Sequence, residues 1–467
     1  MKEKKQPTIF HALIPIVVLI ICLSYGIIVL GADPHIPLLV AIVVASLVSV
    51  LMLKFSWAEI EKGAIETIQM SMQAILILMV IGTVVGSWIL SGTVPAMIYY
   101  GLKILSPGIF LVATTLICSV VSLATGSSWT TAGTVGVALI GVGRGLGIPV
   151  EIVAGAIVSG AYFGDKLSPL SDTTNLAPAM AGSTLFEHIR YMLFTTIPSL
   201  IIALILYAII GSRYAGQSLD TSSIDIILNG LSANFYISPV LLIPPIIVIL
   251  MVAFKAPALP GLLAGTGLGA LFAAIFQKAS LGQIVDTIHY GFSIESETEI
   301  INELLNRGGL DSMMWTISLI LLAMTFGGIM EKSGMLGALA QKILSVANST
   351  GSLVLATILS SIAINILAAD QYLSIVIPGR MYKEAYDEMG LEPRLLSRTL
   401  EDAGTLTSPL VPWNTCGAYM YSVLLVSPLA YLPYAFLNLI NPLVAVFYGF
   451  TGISINDPKK PKKNKTK

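Results

Sequence analysis

The sequence predicts an all-α polytopic membrane protein: two inverted structural repeats, each with about five crossings, a re-entrant hairpin and a broken helix. Three observations predict it. The 467 residues are 55% hydrophobic and only 11% charged, against about 25% charged residues in an ordinary soluble domain. Apolar runs reach the roughly 20 residues that span a hydrocarbon core as helix. The punctuation of the first half also returns in the second.

Apolar segments fall near residues 12–31, 36–54, 68–90, 108–142, 149–181 and 190–211. Six more follow near 236–254, 258–277, 313–332, 351–378, 398–423 and 428–450. The basic start followed by an apolar run mimics a signal peptide. The run is long and no small-x-small cleavage site precedes Asp33, so it reads as an uncleaved first helix. Pro34 and Pro37 recur as Pro257 and Pro260, shifted by 223. Met72, Thr83, Gly86, Ser91 and Gly92 recur as Met314, Thr325, Gly328, Ser333 and Gly334, shifted by 242. Ser168-Pro169-Leu170 recurs as Ser408-Pro409-Leu410, shifted by 240. Ordered blocks at nearly constant offset mark an internal duplication.

The fourth segment of each half carries a polar centre between two apolar arms, at 125–131 and at Asn365 and 369–372. Such an apex suits a hairpin that enters the membrane and returns, sheltered by protein or a wet cavity. With hairpins each half has an odd five crossings and the halves are inverted. Without them each has six and the halves are parallel, and the Lys/Arg count does not decide between the two. The inverted arrangement is preferred because it puts the acidic loop 278–311 outside. The domains are then 1–211, a linker 212–235, 236–452 and a basic tail 453–467. Six lysines in 459–467 and the basic first residues place both termini in the cytoplasm, where the tail can meet anionic lipid. The loop 380–398, rich in both signs, reads as a solvated cytoplasmic connection.

Several function classes fall away. A formal net charge of −1 gives no signal for nucleic acid. Cys22, Cys118 and Cys416 stand far apart, without metal-ligand or disulfide spacing. The glycines of 141–147 follow no strand and form a turn rather than a phosphate loop.

The chemistry concentrates in Gly164-Asp165-Lys166-Leu167-Ser168-Pro169-Leu170-Ser171-Asp172-Thr173-Thr174-Asn175. A charge at bilayer depth costs at least about 2.5–3.5 kcal/mol, so it persists where it lines a pathway or binds an ion. Pro169 breaks the helix and frees backbone carbonyls. Asp165 and Asp172 supply carboxylates, and Ser168, Thr173, Thr174 and Asn175 supply neutral oxygens for a hard cation. A poorly solvated carboxylate also holds a proton, so sodium and proton can compete for one group. The second break, at Pro409, offers Thr407, Ser408 and Asn414, while Glu401 and Asp402 lie earlier. The titrating role is therefore expected in the first half. Asp370 at the second hairpin apex is a further candidate. Ser127, Ser128 and Thr130, beside helix N-termini, are donors for an organic carboxylate. Lys166 is expected to pair with its neighbour Asp165, and Trp129 and Trp413 pack at the breaks against substrate or core.

These motifs, with Gly126-Ser127-Ser128-Trp129-Thr130-Thr131 and Thr407-Ser408-Pro409-Leu410-Val411-Pro412-Trp413-Asn414, resemble the NhaC family of sodium/proton antiporters. The resemblance covers the chain outside its basic tail. It implies inverted repeats, re-entrant hairpins, elevator-type alternating access and a bacterial inner (plasma) membrane. One branch of that family exchanges malate with protons for lactate with sodium, and the length and start of this chain look like that branch. The resemblance implies sodium and protons as coupling ions, with sodium in the Asp165 and Asp172 region and no other cofactor. The expected partners are sodium, protons, malate, lactate, membrane lipid and a second copy of the chain as a homodimer. The competing readings are a plain sodium/proton antiporter and an ion channel with a continuous polar filter. An intramembrane protease with Ser127 or Ser128 as nucleophile needs a histidine within reach, and none is expected deep in an apolar segment.

Overall fold

A hydrocarbon core offers no water to bond backbone groups, so an apolar chain crosses it as helix. The computed structural model describes residues 5–30, 33–215, 221–254, 256–296 and 299–455, and among these the only strand-like pairing is a single bridge between Phe292 and Arg307. The basic residues 1–4, Lys255 and the lysine-rich end of the tail, 456–467, lie outside the described residues. Six helices are long and apolar enough to cross a membrane, and three bent pairs raise the number to up to nine.

The duplication is visible in where helices begin. Starts at 107, 128, 150, 172 and 185 in the first half are matched by starts at 350, 371, 393, 415 and 428, each 243 residues on. Two amphipathic helices absent from the apolar pattern, Trp57–Met70 and Leu281–Tyr290, are matched as well. Each opens with a capping box, Ser56 with Glu59 and Ser280 with Gln283, which satisfies orphan N–H groups reciprocally.

Both fourth segments fold back as hairpins. Helix Pro107–Thr125 ends at Gly126, in the left-handed region at φ 68°, and the chain returns through 128–145 until Gly143 abuts the Phe110 ring. Helix Thr350–Leu367 ends at Ala369, φ 56°, and returns as Gln371–Glu388. There Tyr386 meets Thr357 at 3.1 Å, and Tyr382 bonds Ser360.

The fifth segment of the first half is a broken helix. Helix Val150–Leu167 runs beside the first hairpin, its Gly160 and Gly164 pressed against the backbone of residues 115 and 119, the close approach that small residues permit between membrane helices. Ser168 is extended because Pro169 follows it. Helix Asp172–Ala181 then continues beside the second hairpin, Gly379 lying against Met180. The first hairpin therefore opens toward the end where this broken helix begins, the second toward the end where it finishes, and their tips meet near its break.

Three stretches read as polar connections hold more structure. Helix Gln371–Glu388 runs through the first part of 380–398, and Arg398 is fully buried in the following helix, Pro393–Leu400. Helices Leu185–Ala215 and Thr221–Asn234 occupy the linker region, and Leu281–Tyr290 and Glu299–Leu305 the acidic loop. Local polarity does not exclude helix, since amphipathic helices are polar too.

Gly126 is where hairpin tip and broken helix touch. A Cβ there would lie 2.6 Å from the Leu170 Cβ and 2.8 Å from its carbonyl carbon. Gly126→Ala should thus combine the left-handed penalty of about 1–2 kcal/mol with a backbone clash. Gly147→Ala meets the same penalty at φ 71° with nothing within 4 Å. Melting temperatures of the purified variants should fall clearly more for Gly126→Ala.

Candidate functional site

The two hairpin tips and the first break enclose a cavity of about 430 Å³. Each tip is organised by a cap. Ser127 Oγ accepts from the Thr130 N–H at 3.1 Å, and Asp370 Oδ1 accepts from the Leu373 N–H at 2.9 Å. Each cap satisfies an orphan N–H of the returning helix. Asp165 is anchored to the first tip: its Oδ2 accepts from the Ser128 N–H at 3.1 Å and hydroxyl at 2.6 Å. Asp172 reaches the second tip, its Oδ2 accepting from the Tyr372 hydroxyl at 3.3 Å. Asp370 Oδ2 also accepts from Ser71 Oγ at 3.3 Å.

Of the residues singled out in the sequence, Asp165, Asp172, Thr173, Ser127, Ser128 and Asp370 line this cavity. Asp165 and Asp370 are buried, while Asp172 is exposed at its mouth. Trp129 also lines it and stacks on Tyr419 at 4.1 Å. Among the described lining residues there is no lysine, arginine or histidine. The site is a set of carboxylates and neutral oxygens in an apolar bundle, suited to holding small cations.

The other candidates hold the breaks together instead. Thr174 donates to the carbonyls of Asp165 and Lys166 at 3.1 and 3.0 Å. Asn175 donates to those of Pro169 and Ser171 at 3.0 and 2.7 Å, and Ser168 accepts from the Leu170 N–H. At the second break Asn414 caps helix Thr415–Leu424 and donates to Asn365, which donates to Thr407. Ser408 donates to the Thr405 carbonyl at 2.7 Å. Thr130 is buried behind the first tip. The sequence points to all of these candidates but Thr130 as oxygen ligands, and to Thr130 as a donor for an organic carboxylate, because a polar side chain beside a break serves equally as ligand or as cap.

Residues 160–453 match the family profile described as the Na+/H+ antiporter family. The chain is 41% identical to the Na(+)/H(+) antiporter NhaC of Alkalihalophilus pseudofirmus, over 97% of both chains. It is 38% identical to the malate-2H(+)/Na(+)-lactate antiporter of Bacillus subtilis, over 97% of this chain and 96% of that one. It is 39% identical to the arginine/ornithine antiporter ArcD of Halobacterium salinarum, over 98% and 95%. The chain belongs to the Na+/H+ antiporter family. Its relatives are transporters, not enzymes, and the protease reading also lacks geometry. His188 is deeply buried, contrary to expectation, but it meets Ser397 at 2.5 Å and does not line the cavity.

This antiporter-family chain also carries a buried charge cluster behind the first break. Lys166 pairs not with Asp165 but with Asp402, an ion pair with both side chains fully buried. Arg398 Nε lies 3.7 Å from the other Asp402 oxygen. Thr195 and Asn441 donate to Asp402 at 3.1 and 2.7 Å, and Glu401 accepts from Thr173 and Thr405 at 2.9 and 2.8 Å. Two acids and two bases balance there. Nothing local in the sequence joins Lys166 to a partner 236 residues away.

Removing one member of a buried pair strands the other, at a cost of about 3–5 kcal/mol, whereas removing both can be neutral. Lys166→Met should therefore lower the melting temperature of the purified protein strongly. Lys166→Met combined with Asp402→Asn should recover much of the loss, since Asn keeps acceptors for Thr195 and Asn441. A double variant no more stable than Lys166→Met would show that the pair does not carry this coupling.

Proposed function

We propose that this chain is a secondary antiporter of the plasma membrane. It exchanges sodium for protons, carrying malate with protons in one direction and lactate with sodium in the other. The observation that carries the reading is the cavity between opposed hairpin tips, lined by Asp165, Asp172 and Asp370 with no cationic side chain among the described lining residues. Sodium and protons compete for the same carboxylate oxygens, which makes exchange a property of one site. Asp165 is the main coupling carboxylate on grounds of burial and of its bonds to the hairpin tip. Asp370 is its counterpart on the second tip, and Asp172 guards the mouth.

An organic anion meets three carboxylates in this cavity, so it enters only with neutralising cations. The cotransport named for the Bacillus subtilis relative has that form. The identities to the two sodium-named relatives and to the arginine/ornithine one are nearly equal. That similarity keeps plain sodium/proton exchange as the second reading.

In proteoliposomes loaded with lactate and sodium, external malate at mildly acidic pH should accelerate the efflux of both. Asp165→Asn should abolish sodium-dependent exchange in protein that still purifies as a monodisperse peak. Robust sodium/proton exchange that neither acid alters would establish the plain antiporter. Wild-type sodium affinity in Asp165→Asn would remove that residue from coupling.

The proposed topology has inverted halves, cytoplasmic termini, an external acidic loop and a homodimeric assembly. A cysteine at the exposed Ser293 should react with an impermeant maleimide in intact cells, while one at Glu388, beside the open end of the second hairpin, should react only after permeabilisation. The reverse pattern would overturn the orientation, and a monomer by mass in detergent the dimer.

A further inference from the structure

A second cavity, of about 340 Å³, lies farther along two helices that also line the first. Helix Met72–Leu90 contributes Ile77 to the central cavity and Val85 to the second, a step of about 12 Å. Helix Thr415–Leu424 contributes Cys416 to one and Tyr421 to the other. Between them Tyr419 stacks under Trp129 and donates to its carbonyl at 2.6 Å. Gly133 lets Ile81 and Tyr419 close against the hairpin, since a Cβ there would lie 2.7 Å from the Tyr419 hydroxyl. The aromatic layer lies between the two cavities along these helices.

The chambers differ in charged lining: the described lining of the second includes a cation. Arg307 lines the second one, and its Nε is buried with no hydrogen-bond partner. Arg144, the nearby cation, is already paired with Glu303 at 2.9 Å. Burial and the Arg144 charge hold the Arg307 pKa down to about 10, with no carboxylate among the causes. It therefore stays cationic at neutral pH. Asp33 is the acid that lines this chamber. The backbone around Arg307 is rigid: Phe292 N–H donates to its carbonyl at 3.1 Å, and Gly309 N–H donates to Gly82 at 2.7 Å. Gly308 and Gly309 hold φ of 85° and 83°, a turn that other residues adopt only with strain.

We propose that the second chamber is a recognition site for a small organic carboxylate, held by the Arg307 guanidinium before the Trp129–Tyr419 layer opens. A bare guanidinium repels sodium, and its planar fork takes a carboxylate through two parallel N–H···O bonds. Anion selection then occurs in this chamber and cation coupling in the central one. The proposal rests on the carboxylate part of the function proposed above.

Phenylglyoxal labelling of the purified wild-type protein, read by mass spectrometry, tests occupancy without transport. Arg307 should react, and saturating malate should slow its modification while chloride at equal ionic strength does not. The exposed Arg213 should label equally in both. In proteoliposomes, Arg307→Gln should raise the half-saturating malate concentration by about tenfold or more, the value of a charged hydrogen bond, and Arg307→Lys by less. An Arg307 that does not label, or labels at the same rate with malate, overturns the proposal, as does an unchanged half-saturation in Arg307→Gln. Malate transport without protection leaves the function and removes the chamber. Protection without malate transport keeps the chamber and removes malate as cargo.

Discussion

Everything in this structure depends on how a helix can be broken inside hydrocarbon. Each break exposes N–H and carbonyl groups that lipid cannot satisfy, so a partner must be built for each. At the first break Thr174 and Asn175 take up carbonyls of residues 165, 166, 169 and 171. At the second, Asn365 donates to the Gly404 carbonyl and Asn438 to that of Leu406, at 2.7 and 2.8 Å, and Tyr431 bonds the Pro409 carbonyl. The hairpin tips close with side-chain caps, Ser127 on one and Asp370 on the other. Because side chains bond the backbone groups at the breaks, the carboxylates beside them are held in place.

The charges divide into two populations with opposite logic. In the buried cluster Lys166 and Arg398 face Glu401 and Asp402, so charge is balanced within the protein and needs no ion. Among the described residues that line the cavity, Asp165, Asp172 and Asp370 have no basic counterpart; on the proposed reading, balance comes from what is carried. The populations are adjacent: Lys166 follows Asp165 directly, and Thr173 follows Asp172 and donates to Glu401. The first broken helix is thereby clamped to the second half of the chain while its cavity side stays unneutralised.

What was legible in the sequence follows from how local the cause is. Pro169 forces an extended Ser168, and that reads directly from two residues. The hairpins were visible because polar residues at 125–131 and 369–372 interrupt apolar arms, and the duplication because Ser-Pro-Leu and the helix-end glycines recur. The same local view cannot separate ligands from caps: Thr174, Asn175 and Asn414 read as cation ligands, and in the structure they bond groups beside the breaks. It also assigned Lys166 to its chain neighbour. Asp402 lies beside Lys166 only because the two broken helices pack together, and Arg398 looked solvated because its surrounding stretch is rich in charge. Helix Trp57–Met70 escaped because its period is amphipathic, with too few apolar residues to register as a span.

Coupling follows from the magnitude of the charge imbalance. Two like charges about 4 Å apart repel by about 4 kcal/mol at an effective dielectric of 20, close to a thousandfold in affinity. On the proposed reading, an organic anion that approaches Asp165 and Asp370 without a cation faces a penalty of that order, and with sodium or protons in place it does not. Binding of anion and cation is then linked, and the linkage is reciprocal: each raises the affinity for the other by the same factor. No relay between distant sites is needed. An arginine in the central cavity would remove the requirement, because it would neutralise the anion by itself and let it pass without an ion. On the proposed reading, keeping the Arg307 guanidinium in a separate chamber, beyond the Trp129–Tyr419 layer, lets the protein attract an anion without giving up the coupling.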